Sequence, residues 1–414
     1  MSNFPLQFNY VPYPLWRRIL PPFVRQAMAP LYRSIYPVAF DMHPPRSPEA
    51  VAHYLRRFDL IPDASAREID SLHPNLGVTV ANEPLPAPHL PLHLPAQWEP
   101  LEAVLITLPV VFPPLWAQHA AIIEAISHVA EVEVTVPAPL WANAAQLYLA
   151  RRGRARLDRV KFMLLPTDDI WIRDFGPIVG YDASGQRAVV EVTYHTHDTY
   201  PQRRDAAAAH RYASYRGFPA RQIELVTEGG NLISDGAGTL LMTPQVLHSN
   251  PQHTLASLEI DLHEVFAFDK LIMPPRLSFE TTGHVDMSVK LADARTVLLT
   301  APDTPTTAAT LRASRDLFER ETNARGEHYR VFELPALPLY FNWLVYGIRR
   351  TYANALTVNG RVLVPTYGMP SDEAALRVYE EAMPAHEIVP IDCRAAINGG
   401  GAVHCLTREI PAAR

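Results

Sequence analysis

Past residue 92 the apolar positions recur in one order: two short runs joined by a turn, a longer stretch of helical character, then one more short run. Short runs rich in Val, Ile and Leu that end at Gly, Asn or Asp predict strands, and the longer stretches between them predict helices. PIVGYDASGQRAVVEVTY (177–194) predicts a hairpin, followed by a helix near 205–216 and a strand at RQIELVT. NLISDGAGTLLMT (231–243) predicts a second hairpin, with a helix around 253–266 and a strand at KLIMPP. HVDMSVKLADARTVLLTAP (284–302) predicts a third, with a helix at 306–324 and the strand YRVFELP. TYANALTVNGRVLVP (351–365) predicts a fourth, followed by a helix at 371–383 and the strand EIVPID. Its Asn359-Gly360 pair suits a two-residue turn in which both positions need positive φ. A fifth unit forms only if the chain closes on itself, with GAVHCLT pairing with EAVLITLP (102–109) ahead of a helix at 114–130 and the strand VEVTVP. The helix and strand near 139–166 are then an insertion. The pattern predicts an α/β fold made of a radial array of small sheet-and-helix units.

Residues 1–92 read differently. They are rich in proline, hold one predicted helix (47–60) and end in NEPLPAPHLPLHLP, which is too proline-rich for a helix or a central strand. Two regions are therefore expected, an N-terminal extension over 1–92 and the repeating domain over 93–414.

Composition narrows the function classes. Hydrophobic residues make up 48% and charged residues 19%, enough apolar material for a sizeable core. Net charge is −6 and basic residues stand mostly singly, so nucleic acid is not an expected partner. The densest basic run, RRGRARLDR (151–159), reads as the solvated end of a helix. Two cysteines, Cys393 and Cys405, make neither a disulfide framework nor a CxxC zinc site. The aromatic N-terminus is broken by Pro and Arg, unlike a signal peptide, and nothing later is long enough to span a membrane. The cytoplasm is the expected location, with contact of the N-terminal segment with a membrane surface as the alternative. A homo-oligomer is compatible with the sequence, which does not fix the oligomeric state.

Polar residues of catalytic type fall at equivalent places. Asp174 precedes the first hairpin, in DDIWIRDFGP, and Glu228 precedes the second, in EGGN. His284 and Asp286 open the third; two apart on an expected strand, they would face the same side. Asn354 opens the fourth, and Cys405 lies in the strand expected to open the fifth. In a radial arrangement these six converge on the axis. Each also has an ordinary reading: a turn aspartate, a satisfied core histidine, a tight Gly-Gly turn, a small buried thiol. His195, His197 and Asp198 suggest a metal site but lack a well-spaced third ligand, so no metal is expected. Together, a thiol, an imidazole and several carboxylates suit attack on a planar cationic carbon. A guanidinium fits, because its fork of donors invites bidentate carboxylates.

The ordered motifs LPAQWEPLEAVLITLP, DDIWIRDFGP, EGGN, GHVD, TYANALTVNGRVLVP and GGGAVHCLTREIP resemble the agmatine deiminase and bacterial-type peptidylarginine deiminase family from about residue 94 to the end. The resemblance implies a pentein fold, a five-bladed α/β propeller, and no metal or organic cofactor. By motif it implies Cys405 as nucleophile, His284 as general acid/base, Asp174 and Asp286 on the guanidinium nitrogens, and Glu228 beside the histidine. Asn354, Trp171 and Arg173 are expected to line the substrate pocket. The implied reaction loses ammonia, passes through a thiouronium on the cysteine and releases a ureido product. Agmatine deiminases carry asparagine where this chain has Ala402. The peptidylarginine enzymes hold a substrate carboxylate with an Arg-x-Arg pair; the comparable stretch here has Thr196 and Asp198, with Arg203 and Arg204 farther along. A small free guanidino compound, agmatine first, is therefore the expected substrate. Peptidylarginine, amidino transfer, amide hydrolysis by Cys405 and a non-catalytic binding module are the alternatives.

Overall fold

The computed structural model describes residues 44–78, 85–110, 112–194, 203–277, 280, 282–302, 305–342 and 346–414. Four three-stranded sheets share one plan, an antiparallel hairpin whose second strand takes a parallel partner. They comprise β5 (Ile178–Tyr181), β6 (Arg187–Thr193) and β7 (Ala220–Val226); β8 (Ile233–Ser234), β9 (Thr239–Leu241) and β10 (Lys270–Ile272); β11 (Val289–Asp293), β12 (Thr296–Thr300) and β13 (Arg330–Leu334); and β16 (Leu356–Val358), β17 (Arg361–Thr366) and β18 (Glu387–Asp392). A parallel partner requires a crossover, and helices 208–216, 255–265, 305–320 and 372–382 supply it. Asn359 (φ 41°) and Gly360 (φ 85°) make the predicted tight turn. The Asn359 amide also ties that turn to Leu101, accepting from its N–H at 2.9 Å and donating to its carbonyl at 2.8 Å.

The remaining main sheet has five strands. β2 (Leu101–Thr107) pairs antiparallel with the last strand, β19 (Thr407–Pro411), and parallel with β3 (Glu131–Val136); β4 (Val160–Leu164) and β1 (Leu76–Val78) extend it in parallel. The helix at 139–152 and β4 are the expected insertion. A short hairpin of β14 (Tyr340–Asn342) and β15 (Tyr346–Ile348) was not predicted by the pattern.

Two segments expected as strand are not. Residues 401–406 precede β19 as loop and turn, because the Asn354 side-chain carbonyl takes the N–H of Ala402 (3.2 Å) and of Cys405 (3.3 Å). Those donors are lost to any ladder. His284 immediately precedes a 3-10 turn at Val285–Met287 and Asp286 lies within it, so the two do not alternate on a strand. Side chains again capture the backbone there: Thr282 Oγ1 accepts from His284 N at 3.3 Å and Asn231 Oδ1 from Val285 N at 3.2 Å.

Described residues before 92 do not stand apart from the rest. Helix 48–57 starts at the Ser47 cap with Pro48 in its first turn, and helix 66–71 starts at a Ser65–Glu68 capping box. Tyr54 packs edge-on against Trp141 with ring centroids 5.1 Å apart, and Val51, Leu55 and Ile69 join the core of the five-stranded sheet. The basic run does end a helix, but its charges are paired: Arg151 holds Glu68 at 2.7 Å and Arg152 holds Glu124 at 2.5 Å. The proline-rich stretch docks through its backbone, Leu92 N donating to Val265 O at 2.8 Å and His93 N to Tyr181 O at 2.8 Å. Leu55→Ala is expected to cost about 2–5 kcal/mol, because Leu55 is fully buried among these elements. A melt that leaves catalysis and stability unchanged would show the N-terminal helices to be dispensable.

Candidate active site

Loops ahead of the first strand of each unit carry the polar residues. Asp174 lies in the short helix Ile172–Phe175, Glu228 caps the 3-10 turn Gly229–Asn231, and His284 and Asp286 sit at the turn before β11. Asn354 precedes β16 and Cys405 precedes β19.

These residues meet. His284 Nε2 lies 2.5 Å from Glu228 Oε2, and its Nδ1 lies 3.5 Å from Asp174 Oδ1. Asn354 Nδ2 donates to Cys405 Sγ at 3.1 Å, and Sγ lies 3.9 Å from Asp286 Oδ2. Gly230 is required where the loops close: a Cβ there would fall 2.5 Å from His284 Nδ1 and 2.8 Å from Asp174 Oδ1. Its N–H donates to Asp174 Oδ1 at 3.2 Å.

The electrostatics follow from crowding acids out of water. Burial, with Glu228 and Asp286 nearby, pushes the Asp174 carboxyl up to about 7 against the pull of His284. Burial alone would lower His284, but Asp174 and Glu228 outweigh it and push the imidazole up to about 10, so it is held protonated. Burial, Asp286 and Asp174 hold the Cys405 thiol well above its ordinary value, with Asn354 opposing weakly. Among the described residues, the buried Asp286 Oδ1 has no hydrogen-bond partner. Around the imidazolium of His284 the site gathers the carboxyl groups of Asp174, Glu228 and Asp286, an excess of acceptors.

Trp171 and Arg173, the other expected pocket residues, are placed differently. A Cβ on Gly401 would fall 2.5 Å from the Trp171 ring and 2.9 Å from Cys405 Cβ, so this indole packs beside the thiol's backbone. Arg173 is engaged elsewhere: its guanidinium holds both oxygens of Glu409 at 2.6 and 2.7 Å and donates to the His404 carbonyl at 3.2 Å. It braces the Cys405 turn from beneath. Arg204 donates through Nε to Asp168 Oδ1 at 2.5 Å, and Arg203 is exposed. His195, Thr196, His197 and Asp198 lie outside the described residues.

Sequence reasoning missed His404. Its Nδ1 lies 2.6 Å from Asp286 Oδ2, and because a carboxylate only accepts, the ring must donate. Nε2 meets Gln97, whose Oε1 in turn accepts from the buried Lys290 ammonium. His404 thus occupies one oxygen of Asp286 and leaves Oδ1 open. His404→Ala is expected to lower kcat/KM roughly 10- to 100-fold, the worth of one charge-assisted hydrogen bond, while His404→Asn restores much of it through an amide N–H in the Nδ1 position. Equal damage in both variants at unchanged melting temperature would show the bond to be irrelevant.

Asp174, Glu228 and His284 place ligand atoms within 4.8 Å of one another, the spacing of a metal site. Ligation needs a neutral imidazole nitrogen, and both nitrogens here face carboxylates that keep the ring protonated. The donor chemistry favours an organic cation.

Comparison with known proteins agrees in kind. Residues 93–411 match the family described as Porphyromonas-type peptidyl-arginine deiminase. An agmatine deiminase of Pseudomonas fluorescens (strain SBW25) is 30% identical over 360 residues, covering 77% of this chain and 95% of that protein. The solved agmatine deiminase of Enterococcus faecalis superposes with a TM-score of 0.70 at 22% identity, over 78% of this chain and 96% of that one. That of C. jejuni gives 0.64 at 20% identity, over 78% and 96%. Both likenesses bear on the fold.

Proposed function

Because the chain belongs to the Porphyromonas-type peptidyl-arginine deiminase family, we propose that it hydrolyses agmatine, through a thiouronium on Cys405, to N-carbamoylputrescine and ammonia. One oxygen of the Asp286 carboxylate, Oδ2, lies 3.9 Å from Cys405 Sγ; the other, the buried Oδ1, has no hydrogen-bond partner among the described residues and carries this reading. A guanidinium is the cation that satisfies it, donating to Asp286 and Asp174 while placing its carbon against sulfur. The six site residues belong in this reading to five blades around one axis, whose sheets are the five main sheets above.

The thiol does not ionise unaided, since burial and the charges of Asp286 and Asp174 oppose it. Arrival of a guanidinium offsets their field, and the thiol proton leaves to solvent. The thiolate electron pair then forms the S–C bond, giving a neutral tetrahedral adduct. His284, already an imidazolium, protonates one amino group, and its C–N bond breaks to release ammonia. The neutral imidazole next removes a proton from water, whose oxygen attacks the thiouronium carbon. Collapse breaks the C–S bond, returns the thiolate and, after loss of one proton, yields the ureido product. Amide hydrolysis fits less well, because an amide oxyanion needs donors where this site presents acids.

Peptidylarginine is the second reading, favoured by the family description. Pairing of Arg204 with Asp168 argues against a free arginine clamp for a carboxylate. The curated relative that acts on agmatine matches over most of both chains. Ammonia release from agmatine, free arginine and a short peptide ending in arginine tests the choice. Agmatine is expected to have the highest kcat/KM; a higher value for the peptide would replace it. Agmatine would place the enzyme in polyamine formation in the cytoplasm; no described helix is long and apolar enough to cross a membrane. A homo-oligomer is compatible with this reading.

A further inference from the structure

Beside the Arg173–Glu409 pair lies a cavity holding a charge that the proposed reaction does not use. Counting the open solvent at its mouth it spans about 580 Å³, and its walls include Ile178, Leu232, Ile233 and Arg408. Arg408 is 7% exposed. Its Nε donates to the Pro177 carbonyl at 2.6 Å, and among the described residues its terminal amino groups have no hydrogen-bond or carboxylate partner. The neighbouring Glu409 is occupied through both oxygens by Arg173. Gly229 packs against one side: a Cβ there would fall 2.8 Å from Arg408 Nη1.

Such an arrangement is uneconomical for structure alone. Arg173, Arg408 and Glu409 leave one net positive charge on the walls of this recess. Burial, with Arg173 adjacent, lowers Arg408 to about 9 despite the attraction of Glu409 and Asp174. Buried charges are ordinarily paired, and a planar guanidinium with free donors is a selective receptor for anions. Low-dielectric walls strengthen that attraction.

We propose that the cavity binds a small monovalent anion, a halide or a short carboxylate, at the terminal amino groups of Arg408. This site takes a ligand of opposite charge to the substrate.

Bromide and acetate serve as probes on the full-length protein. Each is titrated against a bulky sulfonate at constant ionic strength while the melting temperature is followed. Both are expected to give a saturable rise, and Arg408→Gln to weaken the apparent affinity about tenfold or more. Crystals grown in bromide are expected to show anomalous density against Arg408. That measurement needs no variant and decides the matter if Arg408→Gln fails to fold. Bromide found only elsewhere on the protein, or equal responses from the parent and Arg408→Gln, overturns the proposal. A response to bromide alone restricts the site to halides and overturns the carboxylate arm.

Discussion

Cys405→Ser is expected to fold as the parent does and to lose turnover by on the order of 10⁶-fold, the cost of removing a nucleophile that acts within a unit. Cys393→Ser is expected to keep most of the activity. Burial raises both thiols well above their ordinary range, so exposure and acidity do not distinguish them. Their neighbours do. Cys393 accepts from the Gln118 amide at 3.4 Å amid the hydrophobic core. Cys405 lies among Asn354, Asp286 and the carboxylates that recruit a cation. Ammonia release by the two variants checks the assignment, and an active Cys405→Ser protein would remove the covalent mechanism.

His284→Ala is expected to lower kcat by about 10²–10⁴-fold, because one ring serves first as acid toward ammonia and then as base toward water. Mass spectrometry after mixing with agmatine should find reaction halted at or before the adduct on Cys405. Normal turnover would give the proton transfers to another group. The same ring links stability to pH. Its folded-state value of about 10 lies above the ordinary imidazole value of 6.5, so the folded chain binds more protons between those values. The stabilisation is fully present below about pH 6.5 and is lost as pH rises through about 10. The parent should therefore lose more melting temperature between neutral and strongly alkaline pH than His284→Asn does. Parallel curves would show that the imidazolium is not held by its carboxylates.

The repeating units were legible because their strands are short, branched and closed by turn residues such as Asn359-Gly360, all local information. The convergence of Asp174, Glu228, His284, Asp286, Asn354 and Cys405 was legible only through the repeat, which places each ahead of a first strand. The local backbone at two of those places was not. Nothing in TTGHVDMSV announces that Thr282 and Asn231 will take its amides, nor does GGGAVHC reveal the part of Asn354. Thr282 is a near neighbour, but the captures by Asn231 and Asn354 depend on residues about fifty positions away. His404 was missed for a related reason: its partner Asp286 lies 118 residues earlier. Arg173 was expected in the pocket wall, and motif proximity does not show that Glu409 holds its guanidinium. The packing of helices 48–57 and 66–71 onto the five-stranded sheet depends on contacts that a proline-rich sequence does not advertise.

The pairing of β19 with β2 has a consequence for how the molecule comes into being. Leu101–Thr107 and its antiparallel neighbour, Thr407–Pro411, lie far apart in the sequence, so this pairing forms only after the segments between them have been made. Until that seam is sewn, β2 offers an open edge, the kind that invites pairing between chains. Cys405 lies two residues before that seam. A chain that stopped short of Cys405 would lack both this strand pairing and the thiol. Completion of the five-stranded sheet and of the surroundings of Cys405 depends on one segment.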